Sequence, residues 1–220
     1  MNLGVVVAID GPAGAGKSTI AKALADDLGL EYLDTGAMYR GVTFEVLRRG
    51  LEATDVDAVG RVAREIHFTQ TRNTLSVNGV DATAAIRTPA VDAAVSHVAA
   101  NSAVRDELRK RQRQWISEHG GGVVEGRDIG SVVFPDATLK VYLVATPMVR
   151  AQRRVAQHGG DVVEIARAIA ERDERDSTRS DSPLRQMPDA VVVDTSDRSV
   201  AEVIAEIRAL LAERQPQGST

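Results

Sequence analysis

The chain has 220 residues, 43% apolar and 26% charged, with a formal net charge of −4. Those values suit one good-sized globular domain with inserted lobes, and they exclude a disordered, collagen-like or generally basic nucleic-acid-binding chain. With no cysteine, a disulfide framework, a thiolate metal site and a cysteine nucleophile are excluded as well.

In chain order, Leu3 to Asp10 is a valine-rich apolar run bounded by Gly11-Pro12, which predicts a strand buried on both faces of a parallel sheet. Lys17 to Leu28 has helical spacing, with Ile20, Ala23, Leu24 and Leu28 on one face and Gly29 as its stop. Glu31 to Leu33 reads as a second strand and Ala37 to Arg49 as a second helix ended by Gly50. The alternation argues for an α/β fold. After a helix at Val56 to Glu65, Ile66 to Thr71 and Thr74 to Val77 flank a turn at Arg72-Asn73, and Asn78-Gly79 leads into a third short strand within Val80 to Ile86. A small antiparallel sheet embedded in an α/β chain is expected to be an inserted lobe. Helices follow at Val91 to Ala100 and Val104 to Glu118, then Gly120 to Gly122 precede a third core strand at Val123 to Glu125. Leu139 to Val144 and Ala190 to Asp194 are the fourth and fifth. Pro147 to Arg179 between them is a stretch of charge-dense helix, Ser199 to Glu213 an amphipathic closing helix, and Gln215 to Thr220 a mobile tail.

The longest apolar runs, such as Val5 to Ile9 and Val141 to Ala145, fall far short of the roughly 20 residues that span a bilayer, and the start lacks the basic flank and cleavage site of a signal peptide. A soluble, cytoplasmic protein is expected, acting on small molecules without nucleic-acid or membrane partners. Only four of the 27 basic residues are lysines, namely Lys17, Lys22, Lys110 and Lys140. The arginine excess fits both a GC-rich coding bias and a set of planar forks that grip phosphates, so only position can pick out the arginines that matter.

The sharpest feature is Gly11-Pro12-Ala13-Gly14-Ala15-Gly16-Lys17-Ser18, a full match to G-x-x-x-x-G-K-[ST] between a predicted strand and a predicted helix. Glycines let backbone N–H groups turn inward around a phosphate, and the helix N-terminus adds its positive pole. Lys17 is then expected to reach the β- and γ-phosphates of a nucleoside triphosphate and the Ser18 hydroxyl to ligate Mg²⁺. No N-K-x-D motif supports a switch GTPase, and the fourth strand carries no acid at its end, as a motor or transporter ATPase would require. Asp194 ends the fifth strand, a weak match on its own. A small kinase is the favoured class.

Three arginine-containing clusters stand where a second anion would have to be held: Asp34-Thr35-Gly36-Ala37-Met38-Tyr39-Arg40, Glu125-Gly126-Arg127-Asp128-Ile129-Gly130, and Glu171 to Arg179. Together with the cradle and the stretches around Ile86-Arg87-Thr88 and Ser96-His97-Val98-Ala99-Ala100, this ordered set resembles the bacterial cytidylate kinases, nucleoside monophosphate kinases of the P-loop group, over nearly the whole chain. The resemblance implies transfer of the γ-phosphoryl of ATP to CMP or dCMP, with Mg²⁺ as cofactor, by a monomer. It implies a P-loop core with five parallel strands (1–34, 101–149 and 183–214), an acceptor lobe at 35–100 with the family's insert at about 60–100, a helical lid at 150–182 and a tail at 215–220. ATP is assigned to Gly11, Pro12, Ala13, Gly14, Ala15, Gly16, Lys17, Ser18 and Thr19, with Arg150 and Arg154 from the lid. CMP is assigned to Thr35, Arg40, Ser96, Arg105, Arg127, Asp128, Arg172, Asp176 and Arg179, of which Arg127 and Arg179 act with Lys17 in catalysis. Asp128 suits the N4 amino group of cytosine and Arg105 its ring acceptors, a pattern that uracil reverses.

The competing readings are a P-loop kinase for another small anion (UMP, AMP or shikimate) and an ATP-binding regulatory module without turnover. Some residues also have plainer readings. Glu171 to Arg179 alternate in sign like a solvated helix face with i, i+4 pairs such as Glu171 with Arg175. Arg109, Arg111 and Arg113 read as a solvated helix, Trp115 as core, and His67, His97, His119 and His158 lack metal-ligand spacing.

Overall fold

The first strand, β1 (Val6–Asp10), is buried along its whole length, as a run of β-branched residues covered on both sheet faces should be. The structure is a computed structural model that describes residues 4–214; Leu3 and the expected tail at 215–220 lie outside the described residues. The chain divides into two units: one runs to Leu33 and resumes at Ile116, and the other is Asp34–Trp115.

In the first unit, β1 leads through the glycine loop into α1 (Lys17–Leu28), then β2 (Tyr32–Asp34). Beyond the second unit come β6 (Gly122–Glu125), β7 (Leu139–Val144) and β8 (Val191–Asp194), giving a five-stranded parallel sheet of order β2-β6-β1-β7-β8. Val7 faces Val123 on one side and Leu139 on the other, which puts the strand bearing the cradle at the centre. Ile9, Leu24, Leu139 and Leu143 pack with Val203, Ile207 and Leu211 of α8 (Val200–Arg214) as the core. Because the neighbouring strands run parallel, the carboxyl ends of β1, β6, β7 and β8 share one edge, where ligands of open α/β sheets gather.

The second unit carries α2 (Thr35–Arg48), α3 (Val56–Glu65), a small sheet of β3 (Phe68–Gln70), β4 (Leu75–Val77) and β5 (Val80–Asp81), and then α4 (Pro89–Ala100) and the first part of α5 (Ser102–His119). The small sheet is antiparallel, Phe68 facing Val77 and Gln70 facing Leu75. Asn78 and Gly79, at φ 50° and 79°, make the tight turn between β4 and β5, as Asn-Gly predicts. Gly41 of α2 is where the sheet leans on the helix, for a Cβ there would stand 2.7 Å from the Phe68 ring.

Three expectations need correction. The second helix starts at Thr35 rather than Ala37, because the Asp34 carboxylate accepts from the Ala37 N–H at 2.8 Å and caps it early. The third short strand is only two residues long; residues 85–87 form a 3-10 turn instead. The charge-dense stretch is two helices, α6 (Pro147–His158) and α7 (Val162–Thr178), broken by Gly159 and Gly160 at positive φ.

Candidate active site

The loop between β1 and α1 turns on three glycines. Gly14 and Gly16 stand at φ 77° and 85°, in the left-handed region that side chains avoid. A Cβ on Gly11 would lie 2.2 Å from the Leu143 carbonyl oxygen of β7. No side chain caps α1 after Gly16, so its first-turn N–H groups are offered to an anion. Lys17 is buried, its Nζ donating to the Pro12 carbonyl at 2.7 Å. Burial pulls the Lys17 ammonium down to about 7, and the Arg127 charge adds to that fall while Glu125 opposes it. An ammonium already crowded by guanidinium charge gains strongly when polyphosphate arrives.

Beside the cradle, at the end of β6, Glu125 is buried and accepts from the Ser18 hydroxyl at 3.0 Å and from the Tyr32 hydroxyl. No acid ends β7; the acid beside Ser18 stands on β6, which pairs directly with β1. The signal was present as an acid ending the apolar run Val123-Val124.

The same unit gathers five of the proposed acceptor residues. Arg127 Nε donates to Asp176 at 3.0 Å, and Arg179 stands 3.6 Å from Asp128 and 3.9 Å from Asp176. The Arg172 charge acts on both Lys17 and Asp176. Burial works against the Asp176 charge, yet Arg127, Arg172 and Arg179 together hold its carboxyl below the usual range. Three guanidinium groups thus act on the buried Asp176 carboxylate in the unit that carries Lys17.

Helices α6 and α7 grip the cradle from the other side. The Ala13 N–H donates to Asp173 at 3.1 Å, and Arg150 donates both to the Ala13 carbonyl at 3.0 Å and to Asp173. Both polar groups of Ala13 are thus held by the charge-dense segment. Arg154 is half-buried on α6. Its neighbour Arg153 donates to the Thr195 hydroxyl at 2.9 Å, and Thr195 in turn donates to the Ala15 carbonyl at 3.0 Å. Thr195 had no motif of its own in the sequence; Asp173 lay inside the Glu171–Arg179 cluster, and its tie to the cradle was not legible there. Arg175 is exposed and turns back to the Glu171 carbonyl.

The remaining acceptor candidates, Thr35 and Arg40 on α2, Ser96 on α4 and Arg105 on α5, belong to the second unit. Arg40 donates to the Ile86 carbonyl at 2.8 Å and pairs with Asp92 in the first turn of α4. Ser96 is one turn further along, its buried hydroxyl unpartnered. Arg105, in the first turn of α5, donates to the Ala99 carbonyl at the end of α4 at 3.1 Å and lies over the Tyr39 ring at 5.5 Å. Arg105 is 1% exposed, a burial that a guanidinium seldom accepts without a purpose. Thr35, at the start of α2, is buried too. Arg111 corrects the solvated-helix reading: it donates to the Ala63 and Ile66 carbonyls at the end of α3 and covers the Phe68 ring.

The comparisons with known proteins point one way. The family model described as cytidylate kinase matches residues 7–213. The chain is 48% identical over 223 residues to the cytidylate kinase of Mycobacterium avium (strain 104), covering 97% of this chain and 98% of that one. It is 47% identical to the bifunctional pantoate ligase/cytidylate kinase of Synechococcus sp. (strain RCC307), covering 96% of this chain but only 43% of that longer protein. A gluconokinase from Sinorhizobium meliloti 1021 superposes with a TM-score of 0.52 at 15% identity, covering 97% of this chain and 94% of that one, a likeness of fold alone.

Proposed function

The chain belongs to the cytidylate kinase family, and from that premise we propose that it transfers the γ-phosphoryl group of ATP to CMP or dCMP, giving ADP and CDP or dCDP. The observation that carries the reading is the glycine cradle with buried Lys17 at its mouth and Arg127, Arg172 and Arg179 in the same unit. Two polyanions repel one another, and phosphoryl transfer is mostly a matter of positioning them and neutralising charge. Residues 11–19 hold the donor, with Arg150 and Arg154. Lys17, Arg127 and Arg179 stabilise the charge on the phosphoryl group as its bond to the β-phosphate oxygen breaks and one to a CMP phosphate oxygen forms. That acceptor oxygen is already anionic, so no general base is needed.

The acceptor is held by Thr35, Arg40, Ser96, Arg105, Arg127, Asp128, Arg172, Asp176 and Arg179. Arg40, Arg127 and Arg179 take its phosphate, and Arg172 and Asp176 lie near the sugar. Asp128 accepts from N4 of cytosine while Arg105 and Ser96 serve the ring acceptors. The buried, unpartnered Ser96 hydroxyl and the buried Arg105 support this assignment. Residues 35–100 serve as acceptor lobe and 150–182 as a lid that excludes water.

Mg²⁺ accompanies the donor. The Ser18 hydroxyl hydrogen-bonded to Glu125 supplies the hard oxygen donors that this ion takes, and no cluster of three or more His, Cys, Asp or Glu among the described residues would cage it. Such a donor set suits an ion that keeps phosphate oxygens and waters as its other ligands. When bound, it neutralises β- and γ-phosphate charge. Among the described residues no helix is long and apolar enough to cross a membrane.

The test is direct. Wild-type protein with ATP, Mg²⁺ and CMP yields CDP, resolved by ion-exchange chromatography, and Lys17→Ala lowers kcat by about 10²–10³. Absence of CDP at high enzyme concentration would instead favour a nucleotide-binding module without turnover.

A further inference from the structure

Asp10 ends β1 and immediately precedes the cradle, yet both its carboxylate oxygens serve a different loop. One accepts from the Ile129 N–H and the other from the Gly130 N–H, each at 2.8 Å. The residue before it on β1 holds the same loop at its other end, where the Gly126 N–H donates to the Ile9 carbonyl at 2.9 Å. Arg127 and Asp128 are the two residues suspended between these anchors. Asp128 has φ −141° and ψ 23°, neither helical nor extended, a conformation that its own propensities do not select. After it the chain enters a π-helical turn, Ile129–Val133, an uncommon element found mostly at functional sites.

From this bracket, and resting on the (d)CMP kinase reading, we infer that Asp10 is a positioning residue for the acceptor: its carboxylate fixes the Arg127–Asp128 pair relative to the strand that carries the donor cradle. The inference gives the buried acid a reason. A carboxylate with 7% of its surface exposed is expensive to keep in the sheet core, and burial raises Asp10 to about 6 even though both loop N–H groups favour its charged form. A brace for the fold alone could be built from apolar packing at lower cost. Two oxygens facing two N–H donors hold the loop in one orientation, which a reader of base edge and phosphate requires. An isosteric amide cannot do the same, because its NH₂ group would face one of the two N–H donors.

The experiment is Asp10→Asn beside wild type. Steady-state kinetics with CMP and UMP are measured together with calorimetric titration of MgATP and the thermal midpoint. The expected result is a fall of about 30- to 100-fold in kcat/KM for CMP, a CMP-over-UMP preference narrowed at least about tenfold, and a MgATP dissociation constant within about threefold of wild type. CMP kinetics and preference within twofold of wild type would overturn the assignment. So would equal losses of MgATP and CMP binding, which would place Asp10 in service of the cradle, and so would a D10N protein that fails to fold. The wild-type arm separates the two claims: no CDP from wild type sinks the reaction itself, whereas CDP from wild type with unaltered D10N kinetics sinks only the role of Asp10.

Discussion

In the proposed reaction Lys17 holds the donor phosphates, and its environment makes a pH prediction. Burial first, and the Arg127 charge second, bring its ammonium down to about 7. MgATP binds the protonated form, so binding takes up a proton and weakens as pH rises past that value. The MgATP dissociation constant should rise about tenfold between pH 6.5 and 8, where the nucleotide phosphates are already largely ionised. Lys17→Gln should bind weakly at both ends with that slope removed; calorimetry at a series of pH values checks it, and a flat wild-type profile would contradict it. Asp128 makes the matching prediction for the acceptor. Asp128→Asn turns one acceptor oxygen into a donor, so kcat/KM for CMP should fall about 100-fold while that for UMP holds or rises. At this scale the sequence was informative wherever a motif constrained it. The loop from Gly11 to Ser18 and the Arg127-Asp128 pair stood out at once. The contacts of Asp10, Asp173 and Thr195 did not, because each is made with residues over 100 positions away that no local pattern encodes.

Among the elements, the junction of α2 with the small sheet shows how the second unit is tied together. Glu45, 1% exposed by its side chain, accepts from Arg48 Nε at 2.7 Å, Arg49 Nε at 2.8 Å and Asn78 Nδ2 at 3.1 Å, the last from the β4–β5 turn. The Arg48 hydrogen bond outweighs burial, and with Arg49 it lowers the Glu45 carboxyl to about 2 from an ordinary 4.5. The folded value lies below the unfolded one. The stability it contributes is therefore complete above about pH 4.5 and is lost as pH falls toward 2. Glu45→Gln should cost about 1–2 kcal/mol at pH 7, allowing for the half-exposed Arg48, and should flatten the acid limb of a urea-unfolding series below pH 4.5. Unchanged stability at both pH 7 and pH 3 would contradict this. Element boundaries were legible where a residue type enforces them: α1, α3 and β7 fall where spacing and stop signals predict. They were less so where a side chain from outside the pattern decides, as with the Asp34 cap on α2. The break at Gly159-Gly160 was hidden by charge patterning on both sides of it.

For the molecule as a whole, the alternation of apolar strands and helices identified an α/β chain, and the parallel sheet of order β2-β6-β1-β7-β8 realises it. Strand order itself is not written in such a pattern, since buried strands look alike. That is why Glu125, legible as the end of an apolar run, could not be set beside Ser18 from the pattern alone. The recurrence of arginine clusters in a fixed order carried the family assignment, and the match over residues 7–213 supports it at the scale of the chain. A cytidylate kinase must select a cytosine nucleotide as phosphoryl acceptor. Initial rates with ATP and Mg²⁺, compared for CMP, dCMP, UMP, AMP and shikimate under one coupled ADP-release assay, decide whether this protein does. CMP and dCMP should exceed every other acceptor in kcat/KM by at least about 10²-fold; a rate with UMP, AMP or shikimate equal to or above that with CMP would refute the selection.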